Sequence, residues 1–150
     1  MTGLTQARAL ALVISGGLLA GAYVSQYVFG LYPCEMCWWQ RWPHFAALGL
    51  AILSIRMAPQ RVWVALAGLA IITSGLIGGF HAGVEYGWWE GITGCSSAPG
   101  TIDVMDVAAA PLVRCDVAPW SLLGVSLAGW NFLISTIGGG AVCALAAFKR

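Results

Sequence analysis

The sequence predicts an all-α membrane protein, a four-transmembrane-helix bundle with two outer loops and one inner turn. Of the 150 residues, 59% are hydrophobic and only 9% are charged, whereas a soluble domain carries about 25% charged residues. The charged residues leave four uncharged stretches, at 9–34, 42–55, 62–84 and 117–148, and a spanning helix needs about 20 apolar residues. The net charge of +1 excludes a polybasic nucleic-acid-binding protein.

These stretches define a single integral membrane domain over residues 1–150. Its first span is rich in Gly and Ala, which suits close helix packing in lipid. The start of this span resembles a signal peptide, with 20-AGA-22 as a cleavage site, but the apolar run continues beyond it, so we expect the helix to be retained. The predicted spans are about 9–30, 37–55, 62–84 and 120–148, and the long polar loop is about 85–119.

The basic residues predict how this bundle is oriented. Lysine and arginine favour the cytoplasmic face of a membrane, and five of the seven lie near the termini or the turn at 56–61. Every acidic residue lies on the other side, with Arg41 and Arg114. We therefore expect both termini in the cytoplasm, and the loops around 30–37 and 85–119 outside.

The stretch 34-CEMC-37 places two cysteines at the start of span 2. A C-x-x-C disulfide closes too small a ring to stabilise a fold much, but its geometry eases thiol–disulfide exchange. The uncharged stretch 42–55 gives a helix of only about 21 Å, against a hydrocarbon core of about 30 Å. We therefore expect the helix to begin near Met36 or Cys37 and to run through Pro43 with a kink. The alternative is a shorter helix that begins near Arg41.

A helix that begins there carries chemically active side chains on one face, because Cys34, Cys37, Arg41 and His44 follow steps of three, four and three residues. Arg41 then lies about one turn inside the span, where a charge is costly and indicates a function. The alternative is an arginine that extends to the lipid headgroups. His44 is either a packing residue or a member of the site.

Four of the five cysteines are predicted on the outer side: Cys34, Cys37, Cys95 and Cys115. They allow three pairings, of which two local bridges, Cys34–Cys37 and Cys95–Cys115, are the simplest. The alternative is a zinc site with all four sulfurs, but structural zinc sites join two closely spaced pairs, so we expect no metal. Cys143 lies inside span 4, where a free cysteine behaves as a small hydrophobic residue.

The location of the two cysteine pairs indicates an electron relay. A pair at the membrane edge can exchange electrons with a lipid-soluble carrier, and a pair on a long loop can reach a water-soluble partner. A quinone suits the apolar side, because its ring can stack near a thiolate while a cation stabilises charge on its oxygens.

The motif 33-PCEMCWWQR-41, two further cysteines in the second outer loop and four spans in this order resemble the DsbB family of bacterial quinone-dependent disulfide oxidases. The stretch 79-GFHAGVEYGWWEG-91 is similar to the segment before the third cysteine of that family. The resemblance covers nearly the whole chain. It implies an enzyme of the bacterial inner membrane, with periplasmic loops, that reoxidises a DsbA-like thiol oxidase and reduces ubiquinone or menaquinone.

The resemblance also implies roles for individual cysteines. Cys95 is attacked by the reduced DsbA-like partner, and the released Cys115 pairs transiently with Cys34. Cys37 then faces the quinone as a thiolate.

Four further residues are candidates around this relay. The resemblance assigns quinone binding to Arg41, and His44 is a candidate on the same helix face. His81 and Glu85 lie one turn apart at the outer end of span 3. They either handle protons or hold the loop.

Three rival interpretations remain. The vitamin K epoxide reductase family is also quinone-linked, but its membrane C-x-x-C follows the loop cysteines, whereas here it comes first. A DsbB-like oxidase dedicated to one special partner is a second. The third is a non-catalytic tetraspan scaffold with structural disulfides, which leaves the face of Cys34, Cys37 and Arg41 unexplained.

Overall fold

The computed structural model describes residues 3–93 and 113–148 as a helical bundle. Its elements in chain order are α1 (Gly3–Tyr27), α2 (Glu35–Leu53), α3 (Gln60–Glu85), β1 (Ser121–Leu122), β2 (Val125–Ser126) and α4 (Leu127–Ala147). The two short strands pair in an antiparallel hairpin. Apart from this hairpin, the regular secondary structure of the described residues is therefore helical, as the sequence predicts.

Helices α1, α3 and α4 are long and apolar enough to cross a membrane. Their outward faces expose apolar side chains, among them Val13, Leu76 and Ile137, whereas the serines Ser15 and Ser74 are completely buried. This distribution is the inverse of that in a soluble protein and is typical of a bundle surrounded by lipid. The chain is therefore a membrane protein.

Helix α2 is shorter, with 19 residues. It begins at Glu35 and continues through Pro43, as the short uncharged stretch in this part of the sequence predicts. Because the helix begins this early, Arg41 lies in its second turn.

Glycines allow α3 and α4 to pack against each other closely. A Cβ atom on Gly75 would lie 2.9 Å from Thr136 Cγ2, and one on Gly139 would lie 2.8 Å from the carbonyl oxygen of Gly68. Real side chains do not approach this closely, so the contact requires small residues. The rest of the core is also made mostly of small apolar residues: Ala7, Ala11, Ala47, Ala51, Val64, Ala67, Ile71, Val142 and Ala146.

Arginine side chains hold one end of the bundle together. Arg8 donates a hydrogen bond to Ser54 Oγ at 2.8 Å, and Arg61 donates to the carbonyl oxygens of Ala146 and Phe148, each at 2.8 Å. This end therefore combines the beginning of α1, the turn between α2 and α3 and the end of α4, which the sequence predicts on one side. The C-x-x-C motif and the hairpin lie at the opposite end.

Helix α4 begins at Leu127, later than the predicted start of span 4 at Trp120. The intervening residues form the hairpin, whose turn places Gly124 at a φ of 78°. Tyr86 fixes the hairpin to α3, because its hydroxyl donates to the carbonyl oxygen of Gly124 at 3.2 Å and accepts from the Ser126 N–H at 3.0 Å. The hairpin and the helix are both uncharged. A span predicted only from the absence of charge therefore includes the hairpin residues in span 4.

Candidate functional site

Cys34 and Cys37 lie at the N-terminus of α2. Cys34 is the N-cap residue, and its sulfur accepts a hydrogen bond from the backbone N–H of Cys37 at 3.3 Å. Both cysteines are free, with their sulfurs 2.9 Å apart, whereas a disulfide bond is about 2.05 Å long. Only a small approach is needed to close the ring, so this pair is placed to alternate between dithiol and disulfide.

The surroundings of Cys34 favour its protonated form while the pair is reduced. The hydrogen bond with Cys37 and, after it, burial raise the pKa of the Cys34 thiol. Burial has this effect because a thiolate loses more hydration than a thiol when it is removed from water.

Cys115 lies in the same buried cluster as this pair. The cluster consists of Cys34, Met36, Val84 and Cys115, with Cys37, Phe80 and Val113 packed against it. Cys115 is disulfide-bonded, and its sulfur accepts a hydrogen bond from the Thr93 hydroxyl at 3.5 Å. The remaining predicted site cysteine, Cys95, lies outside the described residues. The fold thus brings three of the four predicted site cysteines into one buried cluster.

A cavity of about 230 Å³ lies beside the C-x-x-C pair. Five of the predicted residues line it, and three of them come from α2, namely Cys37, Arg41 and His44, as their shared helix face predicts. His81 and Glu85 from α3 also line it. Apolar side chains make up much of the remaining wall, including Leu18, Leu19, Leu31, Leu127, Ala128 and Trp130.

The Arg41 side chain is directed towards α1 and not towards the exterior. Its guanidinium donates to Gln26 Oε1 at 2.7 Å and to the carbonyl oxygen of Ala22 at 3.3 Å. It also lies 5.0 Å from the ring centre of Tyr23 and 4.8 Å from that of Trp38, within the range of cation–π contacts. Arg41 is only 6% exposed, so the geometry disfavours an arginine that extends to the headgroups.

His44 belongs to a buried polar network between the helices. Its Nε2 lies 3.1 Å from Asn131 Oδ1, and its Nδ1 lies 3.3 Å from the Ser15 hydroxyl. The Ser135 hydroxyl donates to the same Asn131 oxygen at 2.8 Å. His44 therefore joins α1, α2 and α4 at the level of the cavity.

The same network reaches His81 through Gln40. The Asn131 amide donates to Gln40 Oε1 at 2.9 Å, and Gln40 Nε2 lies 2.8 Å from His81 Nδ1. The other ring nitrogen of His81 lies 3.6 Å from the Cys34 sulfur and 3.8 Å from Glu85 Oε1. His81 thus lies within hydrogen-bonding distance of the Cys34 sulfur, which its position on the chain does not reveal.

Three possible metal ligands converge here, since the ligand atoms of Cys34, Cys37 and His81 all lie within 4.8 Å of one another. Two sulfurs that bind one tetrahedral zinc ion at about 2.3 Å each are about 3.8 Å apart. The observed separation of 2.9 Å is intermediate between that value and a disulfide bond. The two sulfurs are therefore closer together than a tetrahedral zinc ion requires.

Several residues of the site are missing from the sequence-based prediction, namely Gln40, Asn131, Ser74, Ser15 and Ser135. Each is a polar residue inside an otherwise apolar helix. Polar side chains in spanning helices face the bundle interior and mark functional sites, and this signal identifies all five.

The structure is a helical membrane protein in which two adjacent free cysteines lie beside a disulfide-bonded cysteine. These features are typical of membrane proteins of thiol–disulfide exchange. Within this class, the family model described as "Disulfide bond formation protein DsbB" matches residues 5–146. The chain belongs to the DsbB family, and its role is in disulfide bond formation.

Individual relatives agree with this assignment. The chain is 32% identical over 145 residues to disulfide bond formation protein B of Verminephrobacter eiseniae, an alignment that covers 86% of this chain and 79% of the relative. It is 26% identical over 134 residues to the protein of the same name from Marinobacter nauticus, covering 81% and 79%. An uncharacterized protein of Rickettsia prowazekii is 23% identical over 125 residues, covering 78% and 73%. No solved structure matches the chain at a significant level.

Proposed function

We propose that this protein is a thiol:quinone oxidoreductase, which reoxidises a DsbA-like periplasmic thiol oxidase and delivers the electrons to ubiquinone or menaquinone in the membrane. The position of Cys37 carries the proposal. Its sulfur contacts that of Cys34, and its side chain also lines an apolar cavity that contains Arg41. Disulfide chemistry and a site for an apolar ring therefore meet at one residue.

The cavity fits a quinone ring in size and chemistry. An apolar cavity of about 150 Å³ binds benzene, so the cavity of about 230 Å³ has room for a substituted ring. Leu19, Leu31 and Trp130 supply apolar walls, and Arg41 supplies a cation for a ring oxygen. His44 also lines the cavity, with both ring nitrogens bonded to Ser15 and Asn131. A quinone bound there supplies the acceptor for two electrons. The protein's part is to hold the ring beside Cys37 and to place a cation near its oxygens.

The cysteines transfer two electrons in steps that each break one S–S bond and form another. A partner thiolate attacks Cys95, and Cys115 leaves as a thiolate. Cys115 then attacks Cys34, which expels Cys37 as a thiolate. The partner's second thiolate next forms the partner disulfide and releases Cys95. Cys95 then attacks Cys115, re-forms the loop bridge and expels Cys34.

The net result of these exchanges is an oxidised partner and a reduced Cys34–Cys37 pair. The reduced pair then gives up two electrons and returns to the Cys34–Cys37 disulfide, and the quinone, as the second substrate, takes up these electrons with two protons and leaves as quinol. The shared burial of Cys34 and Cys115 supports their exchange.

The same proposal includes the membrane topology. Helix α2 has 19 residues and is about 28 Å long, close to the hydrocarbon thickness of about 30 Å. We therefore count it as the fourth crossing. The arginine-rich end then lies in the cytoplasm and the cysteine end in the periplasm of a bacterial inner membrane.

A turnover assay tests the proposal. Purified protein is mixed with excess reduced thioredoxin-like dithiol protein and a short-chain quinone, and the remaining thiols are counted with time. We expect many partner molecules to be oxidised per enzyme, and serine at any of the four outer cysteines to abolish turnover. Cys143→Ser is the matched control, because Cys143 lies in α4 and contacts the carbonyl oxygen of Ala65 at 3.7 Å. If several thioredoxin-like proteins are tested and only one is oxidised, the protein is a dedicated oxidase. If none is oxidised, it is a scaffold.

A further inference from the structure

A chain of three buried polar side chains, two amides and one imidazole, links α4 to the Cys34 sulfur. It runs from Asn131 in α4 through Gln40 in α2 to His81 in α3, over distances of 2.9 Å and 2.8 Å. All three residues are buried, with 9%, 7% and 3% of their surface exposed. A polar chain at this depth requires every member to have a partner, so the direction of each hydrogen bond is informative.

Two backbone carbonyl oxygens fix that direction. The amide nitrogen of Asn131 lies 3.1 Å from the carbonyl oxygen of Ser74, which can only accept, so this end of the side chain is the NH₂ group. Its second hydrogen is then donated to Gln40 Oε1. The nitrogen of Gln40 lies 3.2 Å from the carbonyl oxygen of Met36, so it also is the donor end. Its remaining hydrogen is directed at His81 Nδ1.

These directions determine which ring nitrogen of His81 carries the proton. Because Nδ1 accepts from Gln40, the proton of the neutral ring is on Nε2. This nitrogen lies 3.6 Å from the Cys34 sulfur and 3.8 Å from Glu85 Oε1. Cys115 packs in the same buried cluster as Cys34, so the ring lies beside the sulfur at which the two cysteines exchange in the relay.

We propose that Gln40 and Asn131 are positioning residues that hold His81 as an Nε2–H donor to the Cys34 sulfur, and that this contact stabilises Cys34 as a thiolate. The proposal rests on the proposed function for the step it assists. When the Cys34–Cys115 bond breaks, the electron pair moves to the Cys34 sulfur, and the N–H of His81 donates a hydrogen bond to it. The proton remains on the imidazole. A better stabilised leaving thiolate departs faster.

The contact can be measured without partner or quinone. In a Cys37→Ser, Cys143→Ser background, Cys34 is the only free thiol expected, and its alkylation rate against pH reports its thiolate. Among the described residues, the titratable groups that face Cys34 in this background are His81 and Glu85 from α3, while Arg41 is directed towards α1 and the loop cysteines remain in a disulfide. We expect His81→Phe to slow alkylation at neutral pH about tenfold, the lower limit for a hydrogen bond to a charged group.

The role of the amides needs a signal that simple destabilisation does not change. The nitrogen NMR shifts of labelled histidine rings distinguish a protonated ring nitrogen from an unprotonated one. We expect His81 in the parent protein to carry its proton on Nε2, and Gln40→Met to move part of the population to Nδ1. Ser135→Ala is the matched control. It removes a contact to Asn131 Oδ1 and leaves the amide nitrogen, so His81 should be unaffected.

Two results overturn the role of His81: a proton on Nδ1 of His81 in the parent protein, or an unchanged pH profile of Cys34 alkylation in His81→Phe. If His81→Phe does not fold, the parent spectrum and Gln40→Met still decide the direction of the hydrogen bonds. Unchanged His81 shifts in Gln40→Met refute the positioning role. These outcomes do not depend on turnover. If the His81 proton lies where we expect but the protein does not reduce quinone, only the proposed function is refuted.

Discussion

Arg41→Met removes the charge beside the cavity while it retains a side chain of similar length. In the structure the guanidinium makes two hydrogen bonds, to Gln26 and to Ala22, and lies against the rings of Tyr23 and Trp38. These contacts hold a cation at the wall of the cavity. If Arg41 donates to an oxygen of the bound quinone, the substitution removes that hydrogen bond without changing the apolar walls.

The expected magnitude follows from the kind of interaction that is lost. A hydrogen bond to a charged group contributes about 1.5–3 kcal/mol, and each 1.4 kcal/mol is about a tenfold change in affinity. We therefore expect the Kd for quinone to rise about ten- to hundredfold in Arg41→Met. The Kd of Arg41→Lys should lie between those of the parent protein and Arg41→Met, since lysine retains the charge but lacks the planar fork of donors.

The assay is a direct quinone titration, because KM equals Kd only when chemistry is slow. Trp130 lines the cavity, so quenching of tryptophan fluorescence by a short-chain quinone reports binding. Gln26→Leu is the matched control, since it removes the 2.7 Å contact to Arg41 and leaves the cation in place. An unchanged Kd in folded Arg41→Met refutes the role in quinone binding and leaves Arg41 as a link between α1 and α2.

Three other outcomes follow from the packing. Asn131→Leu should destabilise the protein in detergent by about 2 kcal/mol. About 0.6 kcal/mol is lost for each of its contacts to Gln40, Ser74 and His44 on other helices. An unchanged unfolding curve contradicts the network. Gly139→Leu should prevent α3 and α4 from packing and lower the yield of folded protein, whereas normal yield and melting temperature contradict the close approach. When the other two outer cysteines are serine, Cys34 and Cys115 should form a disulfide under mild oxidation, and mass spectrometry that finds both free contradicts their proximity.

Much of the fold could be predicted from the sequence because lipid imposes simple constraints on length and charge. The short uncharged stretch at 42–55 requires α2 to begin near the C-x-x-C motif, and the helix begins at Glu35. Helical spacing likewise places Cys37, Arg41 and His44 along one wall of the cavity. These inferences use local geometry only, so they need no knowledge of which helices are neighbours.

The remaining features depend on contacts between helices. Spacing within α2 does not show that Gln40 meets His81 from α3 and Asn131 from α4, because that depends on how the helices are arranged. The hairpin before α4 is hidden for another reason, since its residues are uncharged and are fixed by Tyr86 at a distance in the chain. His81 could be placed near the outer end by sequence, but its contact with Cys34 could not.

The central claim is that electrons leave the protein through Cys37 to a quinone. The most direct measurement is anaerobic: detergent-purified protein, a reduced thioredoxin-like dithiol and a short-chain ubiquinone, with quinone loss followed by absorbance and thiol loss in parallel. We predict one quinone consumed for each partner disulfide formed, no consumption with Cys37→Ser, and normal consumption with Cys143→Ser. Quinone loss that persists in Cys37→Ser, or partner oxidation without quinone loss in the parent protein, would contradict the account.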